Sequence, residues 1–364
     1  MSNFSRREML TLAASAGLSM ANPGAALAAA QKSCSKPSKV SGLLTCANVA
    51  DAEKEGAMVG YSADIEAIVA KYQKLFQASF PKIDASQYVR LASGPLYTKL
   101  LKERAANLYT PDTFISSDCA IGFDFQKRGG LAQYLSPELT GYDKSYQSDP
   151  AGYWTQYQLV LLGIAYNSDK VPESQAPKSF KDLTNPQWRG KIGFKDAASG
   201  AQQIQWYVLR QLYGDGYWNE IAAQKPHAVA SAAQQYQRLI DGEDVVLGLA
   251  QHNTYLHLTA KTKNLPIKFV YPTDGMVYSP LIIGVVDHAP HPEAARLFVD
   301  FMLSAPVQQQ YANDTGYYSP LKSVAPPPGG APLSSFKLRK PDDWGKIASQ
   351  SAEFANAWRS VIGL

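Results

Sequence analysis

Cysteine and histidine are scarce in this chain of 364 residues, which carries three of the first and five of the second. Three cysteines cannot build a disulfide scaffold; Cys34 and Cys46 can pair in an oxidising compartment, and Cys119 stands alone in an apolar context. The histidines have no metal-ligand spacing. His252 and His257 are five apart, on different faces of a helix, and His288 and His291 sit in the connection "DHAPHPEAA". Gly-x-Ser-x-Gly and His-Glu-x-x-His are both missing, which removes the common hydrolase and metalloprotease signatures. Neither sign of charge dominates: 35 Lys and Arg stand against 31 Asp and Glu, scattered without a basic stripe. Nucleic acid and a polybasic membrane contact are therefore not expected. No late apolar run approaches the roughly 18 residues of a membrane-spanning helix, and there are no repeats or long linkers.

What the sequence does contain begins with an address. "SRREML" supplies Arg6 and Arg7, followed by the apolar "LTLAASAGLSM" and the small-residue exit "AALAAA". This is the pattern of a twin-arginine signal peptide over residues 1–28, cleaved after Ala26-Leu27-Ala28. Residues 29–55 read as an N-terminal extension. "QKSC" lacks the apolar residue that a lipoprotein anchor requires before Cys34, so the mature chain is expected to be soluble in the periplasm.

About 330 mature residues exceed what one core comfortably supports, which predicts two lobes. "GAMVGYS" precedes "IEAIVAKYQKLFQASF", "ASQYVRLAS" precedes "LYTKLLKERAAN", and "TFISSD" precedes "CAIGFDFQKRG". This alternation of strand and helix implies α/β architecture with parallel sheets and crossover helices. Ligands in such sheets bind at the carboxyl ends of strands. Those ends point to Tyr61, Ser62, Ser93, Gly94, Ser117 and Asp118. The strands near 156–165 and 270–283 run between lobes, which places lobe 1 at 56–160 and 275–364 and lobe 2 at 161–274. "DDWGKIASQSAEFANAWRSVI" reads as a terminal helix crossing the surface.

"KDAASGAQQIQWYVLR", residues 195–210, puts small residues before a helix marked by Ile204, Val208 and Leu209. Helix-initial amides lack intrahelical partners, so small residues there let an anion approach the backbone; an ordinary serine cap is the competing explanation.

Three segments carry a family resemblance: "LLGIAYNSDKVP", "SFKDLTNPQWRGKIGFKD" and "GVVDHAPHPEAARLFVDFMLS". In this order, over about residues 56–325, the chain resembles the periplasmic solute-binding proteins of ABC importers, in the branch that includes ferric-iron and aminoethylphosphonate binders. The resemblance implies the type II periplasmic-binding fold, two α/β lobes hinged by crossing strands. It also implies a ligand clamped between the lobes, delivery to an inner-membrane permease, and a monomer without cofactor. In ferric-binding members a serine-glycine-alanine helix start holds a small anion beside the metal. Ser199, Gly200 and Ala201 match it in type and order.

Those members also present two adjacent tyrosines after the second-lobe strand, because hard phenolates suit a highly charged metal. Here "AQHNTYLHL" offers Tyr255 alone, and Tyr317-Tyr318 falls where the family has a structural turn. Cleft carboxylates are few, with Asp118, Asp196 and Asp274 the candidates. An uncharged or anionic organic solute is thus expected ahead of ferric iron, and no metal site is assigned. Tyr61, Tyr157, Tyr255 and Tyr278, with an apolar face and a hydrogen-bonding tip, and the polar Asn253 complete the expected ligand-binding set. Arg90, before "LASG", faces either the cleft or the surface. A periplasmic enzyme and the ligand-binding part of a membrane sensor are the rival classes.

Overall fold

The computed structural model describes residues 36–196 and 200–363; the expectations for the signal peptide, Cys34 and Ser199 concern residues outside that range. The extension starts with a hairpin of β1 (Ser38–Val40) and β2 (Leu43–Thr45), then α1 (Val49–Glu55) capped by the Asn48 side chain. Cys46 is disulfide-bonded and Cys119 is free and buried.

The expected alternation follows: β3 (Gly60–Ser62), α2 (Glu66–Ser79), β4 (Tyr88–Arg90), α3 (Ser93–Ala105), β5 (Thr113–Ser116) and α4 (Cys119–Lys127). β3 pairs in parallel with β4 and β5. α2 buries Val69, Tyr72, Gln73 and Phe76, three or four residues apart, as an amphipathic helix against a sheet must. The Phe76 ring lies 5.2 Å from Phe298 and 5.5 Å from Phe301, closing this half of the core.

After the short β6 (Leu131–Ala132) comes β7 (Thr155–Asn167), buried at every residue. The second half holds β8 (Ile192–Lys195), α5 (Gly200–Tyr213), α6 (Tyr217–Ala223), β9 (His227–Val229), α7 (Ala232–Asp241), β10 (Val246–Gln251), α8 (His252–Lys261) and β11 (Ile267–Val270). The chain returns along β12 (Met276–Val286), also buried throughout, into α9 (Pro292–Leu303) and α10 (Ala305–Thr315). It ends with β13 (Leu338–Arg339), α11 (Trp344–Ser349) and α12 (Ser351–Ile362). α9 draws in the extension: Thr45 Oγ1 donates to the buried Asp300 carboxylate at 2.6 Å, and Glu55 accepts the Glu293 and Ala294 amides.

The sheet is mixed, not the pair of parallel sheets that the strand-helix rhythm implies. Its path is β4-β3-β5-β12-β7-β10-β8-β9, with parallel pairs at both ends and antiparallel pairs in the middle. The reason is that β7 and β12 carry the chain between the halves in opposite directions. They pair from Val277 with Leu162 to Ile283 with Thr155, with a bulge between Leu281 and Ile282. A bridge from Leu159 to Tyr318 adds a third crossing.

The segment expected as a single lobe 1 block, 275–364, is divided in its packing. α12 docks on the second half: Trp358, fully buried, has its ring 5.3 Å from Trp218 and 5.5 Å from Phe194, and Arg210 pairs with Glu353 at 2.8 Å. α11 packs against α4 of the first half and accepts, through the Ile347 carbonyl, a hydrogen bond from Gln203 on α5.

Candidate functional site

A cavity of about 650 Å³ lies where the strand ends of both halves meet. The first half contributes Asp64 and Ile65 after β3, Arg90 at the end of β4, Ser93 and Gly94 opening α3, and Ser117 and Asp118 after β5. The second contributes Lys195 ending β8, Gly200, Ala201 and Gln203 on α5, and Gln251 ending β10. Val160, Ser279 and Leu281 of the crossing strands form part of its lining, with Tyr317 beside them. A larger groove between α3, α4 and α11 shares Gly94 and Asp118 with it but is built from helix flanks, not strand ends.

Several helix N-termini converge here. α2 and α3 begin at Ile65 and Ala92, neither of which caps its helix with a side chain. Their first amides are therefore left to solvent or to a ligand. α4 differs, because Asp118 Oδ1 accepts from the Ala120 amide at 2.9 Å. Gly94 has open space where a Cβ would stand, and a Cβ on Gly200 would meet only the Ser117 carbonyl oxygen, at 3.9 Å. Both glycines leave backbone within reach of a bound group. The serine hydroxyls tie the strand ends together: Ser93 Oγ lies 3.0 Å from Ser117 Oγ, and accepts from Ser116 Oγ and the Ser117 amide, each at 3.2 Å.

The charges are unevenly matched. Arg90 donates Nε to the Asp64 carbonyl at 2.8 Å and makes no ion pair among the described residues. Lys195 has no ion pair or side-chain hydrogen bond there, and burial pulls its pKa down against the opposing pull of Asp196. Burial pushes the Asp64 carboxyl up to about 7, opposed by the Ile65 amide and Arg90, and pushes Asp118 up as well. The cavity thus sets Arg90 and Lys195 against two carboxyls that burial makes weaker acids, on a background of helix-initial amides that favours an anion. Among the described residues, no three His, Cys, Asp or Glu side chains are grouped to hold a metal ion.

Of the residues expected from sequence, Ser93, Gly94, Ser117, Asp118, Gly200 and Ala201 are brought together in this cavity. The others are elsewhere. Tyr61 is buried, its hydroxyl donating to Glu103 at 3.0 Å, and Ser62 is buried with its hydroxyl bonded to the Asp64 amide. Tyr157 and Tyr278 are core residues, bonded to Tyr311 at 3.5 Å and Gln156 at 3.3 Å. Asn253 is buried against Gly316, and Tyr255 packs on Phe269 at 5.5 Å. Asp274 is outside the cavity, accepting from the Phe180 amide and the Tyr213 hydroxyl. His252, beside Gln251, is buried among aromatic rings and pulled down to about 4.

Asp64, Ile65, Lys195, Gln203, Gln251 and Tyr317 were not expected. Most of the discrepancy is a displacement of one to three residues: Tyr61 and Ser62 lie within β3, and the chain enters the cavity only beyond it. Lys195 was readable as the last residue of the strand in "KIGFKD", immediately before the helix start.

Residues 110–348 match the family described as bacterial extracellular solute-binding protein. The chain belongs to that family. The spermidine/putrescine-binding periplasmic protein of Escherichia coli K12 is 24% identical over 246 residues, 62% of this chain and 67% of that protein. Iron-bound HitA from Pseudomonas aeruginosa superposes with a TM-score of 0.73 at 21% identity, covering 85% of this chain and 99% of HitA. The periplasmic binding protein AfuA from Actinobacillus pleuropneumoniae, with fructose-6-phosphate bound, gives 0.70 at 21% identity over 85% and 99%. These likenesses establish the two-lobe type II periplasmic-binding fold. No helix of the described residues is long and apolar enough to cross a membrane.

Proposed function

We propose that this protein is exported through its twin-arginine signal, captures a small anionic organic solute between its lobes, and hands it as a monomer to an ABC importer permease. The anionic choice rests on one observation: Arg90 and Lys195 line the same cleft and neither forms an ion pair with a carboxylate among the described residues. An anionic group held by the amides of Gly94, Gly200 and Ala201, the Ser199 hydroxyl and these two cations satisfies both the unmatched charge and the uncapped helix starts. Ser93, Ser117 and Asp118 hold that wall in shape. Ser62, bonded to the Asp64 amide, and Tyr157, facing Asp64, lie behind it. A volume of about 650 Å³ accommodates a molecule well beyond a lone ion.

Binding, not catalysis, is the role we assign. Of the serines that line the cleft among the described residues, Ser93 and Ser117 bond to each other, and no histidine stands with them or with Ser279 in that lining to activate a hydroxyl. A polyamine, as named for the Escherichia coli relative, would meet like charge. Ferric iron, as in HitA, would need a cage of hard anionic oxygens, and Tyr255, expected to supply one, packs on Phe269 instead.

The test is native mass spectrometry of the purified protein with a thermal-shift screen of sugar phosphates, phosphonates, carboxylates, polyamines and ferric salts. An anionic hit should raise the melting temperature, by the equivalent of about 2.7 kcal/mol at a hundredfold excess over Kd. It should also reduce the radius of gyration as the lobes close, and fail with Arg90→Met/Lys195→Met. A polyamine or iron hit indifferent to that double substitution would overturn the reading.

A further inference from the structure

Asp64, at 5% exposure, is the more buried of the two carboxylates that line the cleft among the described residues, and yet only half satisfied. Its Oδ1 accepts the Ile65 amide at 2.7 Å, while Oδ2 has no hydrogen-bond partner among the described residues. Arg90, on β4, is the charged group beside it. Tyr72 on α2, Tyr157 on β7 and Tyr317 after α10 face it with phenols that burial keeps neutral. Asp118 and Lys195 stand elsewhere on the cleft wall. Tyr72 is already engaged with Asp314 at 2.8 Å and Tyr157 with Tyr311, so neither supplies Oδ2 with a donor.

An ionised carboxylate cannot share a desolvated cleft with an anion unless a proton lies between them. We propose that Asp64 and the anionic group of the solute share a single proton, which makes Asp64 the residue that selects oxyanions able to carry one. This rests on the anion-binding reading above. An oxyanion with its own O–H, such as a monohydrogen phosphate or phosphonate, donates that proton to Oδ2. One without it, such as sulfate or a sulfonate, binds only after Asp64 takes up a proton from solvent and donates through its own O–H. The raised pKa of Asp64, about 7, brings that uptake into the neutral range. Above neutral pH an oxyanion that still carries its proton there, as inorganic monohydrogen phosphate does, is therefore preferred, whereas a phosphate monoester, whose second pKa is about 6, binds there only with a proton taken up, as sulfate does.

Inorganic sulfate and inorganic phosphate, titrated calorimetrically into the intact protein from pH 5.5 to 8.5, test this. Sulfate does not titrate in that range, so its affinity should fall about tenfold per pH unit above about pH 7, the slope of one linked proton. Phosphate, as the monohydrogen ion, should hold its affinity and exceed sulfate by about tenfold at pH 8. Repeating the sulfate titration in buffers of different ionisation enthalpy should count close to one proton taken up per ion. Asp64→Asn keeps an acceptor for the Ile65 amide and offers an N–H to either anion. Its sulfate affinity should be flat with pH and its preference for phosphate should vanish. Wild-type sulfate binding without pH slope or proton uptake would overturn the proposal, as would a slope surviving in Asp64→Asn. Should the variant not fold, the wild-type proton count decides alone. Failure of both anions to bind at any pH would instead overturn the anion reading itself, and this inference with it.

Discussion

Asp300→Asn should remove a pH dependence of folding stability that the wild-type protein carries on the acid side of neutrality. Asp300, on α9, is fully buried; Thr45 and Tyr134 each donate a hydroxyl to Oδ2 at 2.6 Å, and Oδ1 has no partner. Burial pushes its carboxyl from 3.8 up to about 7, against the lowering effect of these hydroxyls. Between those two values the folded chain holds a proton that the unfolded chain has released, so stability falls as pH rises and the loss is complete once pH passes the folded value. A tenfold change in proton affinity between the folded and unfolded chain corresponds to about 1.4 kcal/mol, so the total is about 4 kcal/mol, of which about 3 falls between pH 5 and 8. Asp64, also raised to about 7, adds a slope of the same sign. His252, lowered to about 4, opposes both below pH 6.5, its neutral folded form being favoured as pH rises. A difference measurement isolates Asp300. Urea unfolding of the wild-type protein and the variant, without added anion, at intervals from pH 5 to 8, should show Asn gaining about 3 kcal/mol relative to Asp across the range. Its amide keeps an acceptor for the two hydroxyls while leaving a donor unpaired, a constant cost of about 1 to 3 kcal/mol that does not change with pH. Parallel stability curves would refute the assignment of a raised acid at this position.

Lys195→Ala should weaken anion binding about ten- to a hundredfold, the value of one hydrogen bond to a charged group. It should not lower the unliganded melting temperature, because the lysine is desolvated without an ion pair; calorimetry with sulfate and melting curves without it check both halves. Gly200→Asp adds bulk and like charge where a bound anion's oxygens would sit. The nearest atom to its Cβ is 3.9 Å away, so binding should be lost while unliganded stability barely changes, as paired melts with and without anion would show. Trp358→Ala should cost about 3 to 5 kcal/mol in urea unfolding, because the fully buried ring closes an aromatic cluster with Phe194, Trp218 and Phe354. A loss below about 1 kcal/mol would mean that α12 is peripheral to the second lobe.

Local chemistry is written in the sequence itself, and it determined the elements. The apolar periodicity of Ile204, Val208 and Leu209 marks α5, and all three are buried. The apolar run Leu159–Tyr166, led in by Gln156 and Gln158, marks β7, found at Thr155–Asn167 against an expected 156–165. Small residues and serines at helix starts mark α3, α4 and α5, and six of the expected site residues meet in the cleft for that reason. Which face of a tyrosine meets solvent is not local. Tyr157 is sealed by Tyr311, 154 residues away, and Tyr61 by Glu103 on α3. Nothing in their neighbours along the chain distinguishes them from cleft-lining phenols. The antiparallel centre of the sheet likewise depends on β12 returning beside β7, and the docking of α12 on α5 and α6 depends on aromatic surface assembled from segments over a hundred residues earlier. The sequence by itself determined periods, caps and the order of elements, because these depend on residues within a few positions of one another. Only the tertiary structure decided which charged groups were left without an ion pair among the described residues, Asp64, Arg90 and Lys195 in one cleft, because satisfaction of a buried charge depends on what the distant chain brings against it.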